Sequence, residues 1–176
     1  VEAREYVPEE YDYVNYDYSR SYRDGSKASL ARRSFIYLRN SGDPEFVVVM
    51  DRLKSGALKN FIVHTPGDVD ALDGAWKKIK AGHWESSAKR LRHTNRLDQA
   101  HGQMTLTSVY PLKSKVVKYG GPGFEGVEAD GRPMDYDPAR FSPRASYLLG
   151  DHTVHIRSSE NFYLTVMEPV SYTHLR

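Results

Sequence analysis

No cysteine occurs in this chain, which removes disulfides, thiolate nucleophiles and cysteine metal sites from consideration. That absence assigns no compartment. No apolar run approaches the roughly 20 residues a helix needs to cross a bilayer, so a membrane span is not expected. Net charge is scarce as well, only +2 over 176 residues. The basic group Lys89, Arg90, Arg92 and Arg96 is balanced by Glu2, Glu5, Glu9, Glu10, Asp12 and Asp17 near the start, so nucleic acid is not the natural partner. No Ser/His/Asp set, paired catalytic carboxylates or internal repeat stands out. Gly120 to Gly123 lacks the Lys and Ser/Thr of a phosphate loop and reads as a turn.

What is present is β-forming. The length suits one domain with a real core, and contents of 39% hydrophobic and 27% charged residues are ordinary for a globular protein. In Arg33 to Leu53, aromatic and β-branched residues flank Asn40, Ser41, Gly42, Asp43 and Pro44, which predicts a hairpin of two strands. Phe46 to Met50 has no polar alternation, so both faces of that strand are expected to be covered. Leu58 to His64 is expected to add a third strand and complete an antiparallel meander. Further strands are expected at Trp76 to Ile79, Met104 to Val109 and Lys115 to Tyr119, and a closing hairpin at His152 to Arg157 with Phe162 to Met167. Thr65 to Gly74 reads as loop and turn, and Ala88 to Gln99 as strand and loop rather than helix, since only Leu91 and Leu97 could anchor a helix. Asp130 to Pro143, with three prolines, reads as a surface loop. The prediction is an all-β antiparallel sandwich of two packed sheets spanning residues 1–170.

Seven histidines invite a metal reading. His152 and His155 lie three apart, which on a strand points them to opposite faces. His93, Asp98 and His101 fit a loop-borne site or a solvated loop, without a defined ligand spacing. His64 ends an apolar strand and is the best single histidine for function; the alternative is a histidine bonded to a loop carbonyl. Six tyrosines fall in the first 22 residues: Tyr6, Tyr11, Tyr13, Tyr16, Tyr18 and Tyr22. Their spacing suits short edge strands, with rings able to stack on sugars or to pack half-buried. Arg20, Arg23, Arg32, Arg33, Lys89, Arg90 and Arg92 could face an acidic polymer or form a solvated surface.

Taken in order, YDYSRSY (Tyr16 to Tyr22), ARRSFIYLR with FVVVMDRL, FIVHTPGDVD (Phe61 to Asp70), YGGPGFE (Tyr119 to Glu125) and NFYLTVMEP resemble the C-terminal β-sandwich of heparinase II/III-like polysaccharide lyases. The resemblance implies a bacterial, periplasmic or secreted parent whose N-terminal helical toroid precedes the sandwich. It implies β-elimination of a uronic-acid-containing polysaccharide, in which a base takes the C5 proton while the carboxylate is neutralised. Neither the toroid nor the family's His-rich segment is present, so the portion alone is expected to be inactive and to hold no cofactor, with a structural divalent metal possible only in the parent. Tyr16, Tyr18, Arg20, Tyr22 and His64 are the expected substrate-side residues, and no catalytic or metal-binding residue is assigned. The alternative is a sandwich that binds carbohydrate or another protein without chemistry. Val1 opens the sequence without a methionine or leader, in keeping with a piece of a longer chain, and SYTHLR (Ser171 to Arg176) reads as a non-native tail.

Overall fold

The computed structural model describes residues 1–21, 28–39, 45–65, 67–97, 100–120 and 152–170. In chain order the strands are β1 (Ala3–Val7), β2 (Tyr11–Asp17), β3 (Leu30–Leu38), β4 (Phe46–Lys54), β5 (Lys59–Thr65), β6 (Val69–Ala71), β7 (Lys77–Lys80), β8 (His83–Ser86), β9 (Arg90–Leu97), β10 (Ala100–Tyr110), β11 (Lys115–Gly120), β12 (His152–Ser158) and β13 (Phe162–Val170). A 3-10 turn, Ser19–Ser21, follows β2. The protein is an all-β sandwich of two antiparallel sheets. The larger sheet has eight strands in the order β1-β2-β3-β4-β13-β10-β9-β6, and the smaller has five, β5-β12-β11-β8-β7. Among the described residues no helix is long and apolar enough to cross a membrane.

The chain divides into two compact units. The first comprises residues 1–59, 104–113 and 158–176, and the second residues 60–103 and 114–157. In the first, β3 and β4 pair from Leu30 with Lys54 to Leu38 with Phe46, the predicted hairpin; the turn at 40–44 lies outside the described residues. Val49, Asp51, Tyr163 and Thr165 are nearly inaccessible and form the core of this unit. Asp51 can be buried there because Arg33 donates to it through both Nε and Nη2, each at 2.6 Å, a two-pronged charged contact that replaces lost hydration. The Tyr163 hydroxyl donates to the Lys59 carbonyl at 2.9 Å, and burial pushes this phenol up to about 12.

Three expectations about strand pairing and burial are corrected. The meander does not form: β4 takes β13 as its second neighbour, with Val48 opposite Val166, and β5 belongs to the smaller sheet beside β12. The closing hairpin is likewise absent, because β12 and β13 lie in different sheets. In both places a short connection carries the chain from one sheet to the other, so neighbours in sequence are not neighbours in the ladder. Ser158 and Ser55 hydroxyls accept the backbone N–H groups of Glu160 and Ala57, which turns the chain at these crossings. Thirdly, Phe46 to Met50 is not covered on both faces; Val49 is buried and the other four are half-buried. The strands covered on both faces are β11 and β12 in the second unit, where Val116, Val117, Tyr119, Val154 and Ile156 are buried.

Two strands arise where loop or no element was expected. Val69–Ala71 is held by pairing with Leu91 to His93. Gly67 allows this approach, since a Cβ there would meet the Thr94 carbonyl oxygen at 2.9 Å. His83–Ser86 follows a turn in which Gly82 has a positive φ of 66°, and pairs with both β7 and β11. The strand expected at Ala88 to Gln99 is present as β9. The segments at 98–99, 121–151 and 171–176, including the expected 130–143 loop, lie outside the described residues.

Candidate functional site

The second unit presents its chemistry on one face of the smaller sheet. In β11 and β12 successive side chains alternate, and directly paired residues share a face. Tyr119 stands opposite Thr153 on one side and His83 on the other, while His83 stands opposite Lys80. Thr153 then meets His64 through Oγ1 and Nδ1 at 3.3 Å. The result is a row, Lys80–His83–Tyr119–Thr153–His64, that crosses all five strands. Beside it runs Lys115–Arg157, with Asn60 accepting from Arg157 Nε at 2.9 Å. Between the two rows lie Lys77, Glu85, Val117 and His155.

These groups touch. The His83 and Tyr119 rings are 4.8 Å apart, and Tyr119 meets His155 edge-on at 5.1 Å. The Arg157 guanidinium lies over the Tyr119 ring and donates from Nη2 to its hydroxyl at 2.8 Å. Glu85 accepts from Lys115 at 2.5 Å and lies 3.5 Å from His83 Nε2. Four fixed cations (Lys77, Lys80, Lys115 and Arg157) therefore share this face with one carboxylate among the described residues.

Burial shifts both histidines of the site, and the neighbouring positive charges add to it. Burial lowers His83 below the usual imidazole range; Glu85 works against the shift, and the charges of Lys80, Arg157 and Lys115 add to it. Burial, with the charges of Arg157 and His64, pushes His155 down to about 4. Hydrogen bonding from Lys115 holds Glu85 below the usual carboxylate range. His155 is 1% exposed and neither ring nitrogen has a hydrogen-bond partner. Tyr119 is also buried, so neither can reach a substrate proton. Lys80, Lys115 and His64 are exposed and can meet a ligand. The face thus carries an excess of positive charge among the described residues.

The opposite face of β11 is structural. Lys118 is buried between the Trp76 and Trp84 rings, at 4.7 and 5.2 Å, and donates to Asp68 at 2.5 Å and to the Val69 carbonyl at 3.2 Å. Burial opposes ionisation of Asp68, but the hydrogen bonds from Lys118 and the Val69 N–H outweigh it and lower its pKa.

No known family model matches the chain, and no curated protein matches it.

Of the residues expected on the substrate side, Tyr16, Tyr18 and Arg20 lie in the first unit. Tyr16 lies on β2, is 41% exposed and meets Phe35 edge-on at 6.5 Å. Tyr18 is half-buried, its N–H donating to the Ala31 carbonyl at 2.9 Å, and Arg20 is exposed in the 3-10 turn. Tyr22 lies outside the described residues. His64 belongs to the second unit, on β5. The pair His152 and His155 takes opposite faces of β12, as strand spacing predicts: His155 sits by Tyr119 and His152 Nε2 lies 3.8 Å from Asp68. His93 is buried on β9, and burial lowers its pKa. Asp98 and the His101 side chain lie outside the description. Among the described residues no three His, Asp or Glu side chains converge as metal ligands would.

Three of the seven expected basic positions are paired with carboxylates: Arg33 with Asp51, Arg32 with Glu2 and Asp17, and Arg92 with Asp70. Sequence reading missed Lys80, His83, Lys115, Tyr119 and Arg157. The available signal was the period-two placement of Thr153, His155 and Arg157 in HTVHIR.

Proposed function

We propose that this chain is the C-terminal β-sandwich portion of a heparinase II/III-like polysaccharide lyase, periplasmic or secreted, acting on uronic-acid-containing polysaccharide by β-elimination. In this reading the N-terminal helical toroid of the parent carries the base and acid, and the sandwich alone is inactive. The observation that carries the proposal is the order of the family-like segments along strands of an all-β framework: β3 with β4, then β5 with β6, then β13. The cationic face of the second unit suits an acidic polymer, whose carboxylates must be neutralised before a C5 proton can leave.

The test begins with the reading frame upstream of Val1, which should encode a helical domain of the toroid type. The joined protein should release unsaturated uronate, read by its ultraviolet absorbance, and the present chain should release none. His64→Ala in the joined protein should weaken substrate affinity or turnover; unchanged kinetics would remove His64 from the substrate side. A stand-alone carbohydrate-binding sandwich is the second reading. It is favoured by the burial of Tyr119 and His155, which withdraws these two groups of the polar face from a substrate. An upstream frame without a helical domain would decide for it.

A further inference from the structure

We infer that the Lys80–Lys115–Arg157 face of the smaller sheet is an anion-binding site that takes the sulfate or carboxylate groups of an acidic polysaccharide. The choice of a glycan rests on the proposed function; the charge argument does not need a lyase. Arg157 is the centre of the case. Its guanidinium is held by two neutral acceptors, Asn60 Oδ1 and the Tyr119 hydroxyl, and lies over the Tyr119 ring. Among the described residues it forms no ion pair. Its charge is therefore fixed in place and left unneutralised, and the fork has further N–H donors beyond the two in use. A group so held loses little conformational freedom on binding.

The neighbours reinforce this. Lys80 and Lys115 are exposed, and both press electrostatically on His83, as does Arg157. The one carboxylate among them, Glu85, is shared between Lys115 and His83. Between the two rows lies His155, opposite Val117, buried and, among the described residues, without a hydrogen-bond partner on either ring nitrogen. An anion arriving at the exposed rim meets three cations against one carboxylate that is already engaged.

The experiment is calorimetric titration of the full chain with oligogalacturonate, which carries carboxylates only, with chondroitin sulfate oligosaccharide, which carries both groups, and with a neutral cello-oligosaccharide. Binding of at least one anionic oligosaccharide, weakening steeply with salt, is expected, and which binds identifies the group recognised. The double variant Lys80→Ala/Lys115→Ala should weaken it by about tenfold or more, since charge-assisted contacts carry such factors. Glu85→Gln removes the competing carboxylate and should strengthen binding. Lys54→Ala, an exposed lysine of the first unit, should change nothing. Lys80 and Lys115 are exposed, so a thermal unfolding midpoint equal to the parent's should accompany the double variant. Absence of anionic binding, equal binding of the neutral oligosaccharide, or a double variant that binds as the parent does would overturn the inference. The lyase reading falls separately, through the upstream frame and the missing unsaturated product.

Discussion

Arg33 and Arg157 are each held by a fork of hydrogen bonds on a sheet face, in different units, yet their partners differ in charge. Arg33 gives both prongs to the Asp51 carboxylate, which is 1% exposed. Arg157 gives its prongs to an amide and a phenol. The same pattern extends around each. In the first unit Arg32 faces Glu2 and Asp17, and Arg39 pairs with Asp12 while stacking on Tyr6 and Tyr37. In the second, Arg157 shares its face with Lys77, Lys80 and Lys115, and among the described residues Glu85 is the one carboxylate there. A charge that is internally neutralised serves stability; one held by neutral groups keeps its field for a ligand.

This contrast can be broken by mutation. Arg33→Ala should cost the most, about 3–5 kcal/mol, because it strands the buried Asp51 carboxylate. Urea unfolding would measure it, and a cost no larger than that of Arg157→Ala would erase the distinction.

Acid comes next. His155 titrates at about 4 in the fold against 6.5 for an unperturbed imidazole, so the unfolded chain binds the proton first and stability falls as pH drops from 6.5 toward 4. The loss is on the order of 3 kcal/mol for a gap of that size. It should appear in unfolding curves at neutral and mildly acidic pH and be largely absent in His155→Gln.

Lys118→Met should cost about 2 kcal/mol through lost hydrogen bonds and contacts with two indole rings. It should also return Asp68 toward the ordinary carboxylate range, visible by carbon-detected NMR titration. Arg157→Ala should have the smallest effect on stability, about 1 kcal/mol, because its partners are neutral. Its larger consequence should be on anion binding.

Much of the strand content was legible in sequence. The tyrosine pairs of β2, the hairpin of β3 and β4, and the alternation Met104 to Val109 each carry a local period that a strand imposes on its own residues. The candidate site was less legible. His64 was found because it closes an apolar run, but its partner Thr153 lies 89 residues away. Tyr119 and Arg157 looked like ordinary residues of separate strands, and nothing local pairs them. The closing hairpin and the meander failed for a related reason: turn residues show that the chain reverses, and not which sheet receives the next strand.

The sequence by itself determined the all-β class, most strand positions and the opposite-face placement of His152 and His155, since side-chain alternation and turn chemistry act within a few residues. Tertiary structure alone decided that β4 pairs with β13 and that β11 with β12, rather than Phe46 to Met50, form the strands buried on both faces. It also decided that Lys115 and Arg157 share a face with one engaged carboxylate. Those outcomes depend on register between distant strands, where a shift of one residue in β11 would put Val116 and Lys118 on the face that now holds Lys115, Val117 and Tyr119.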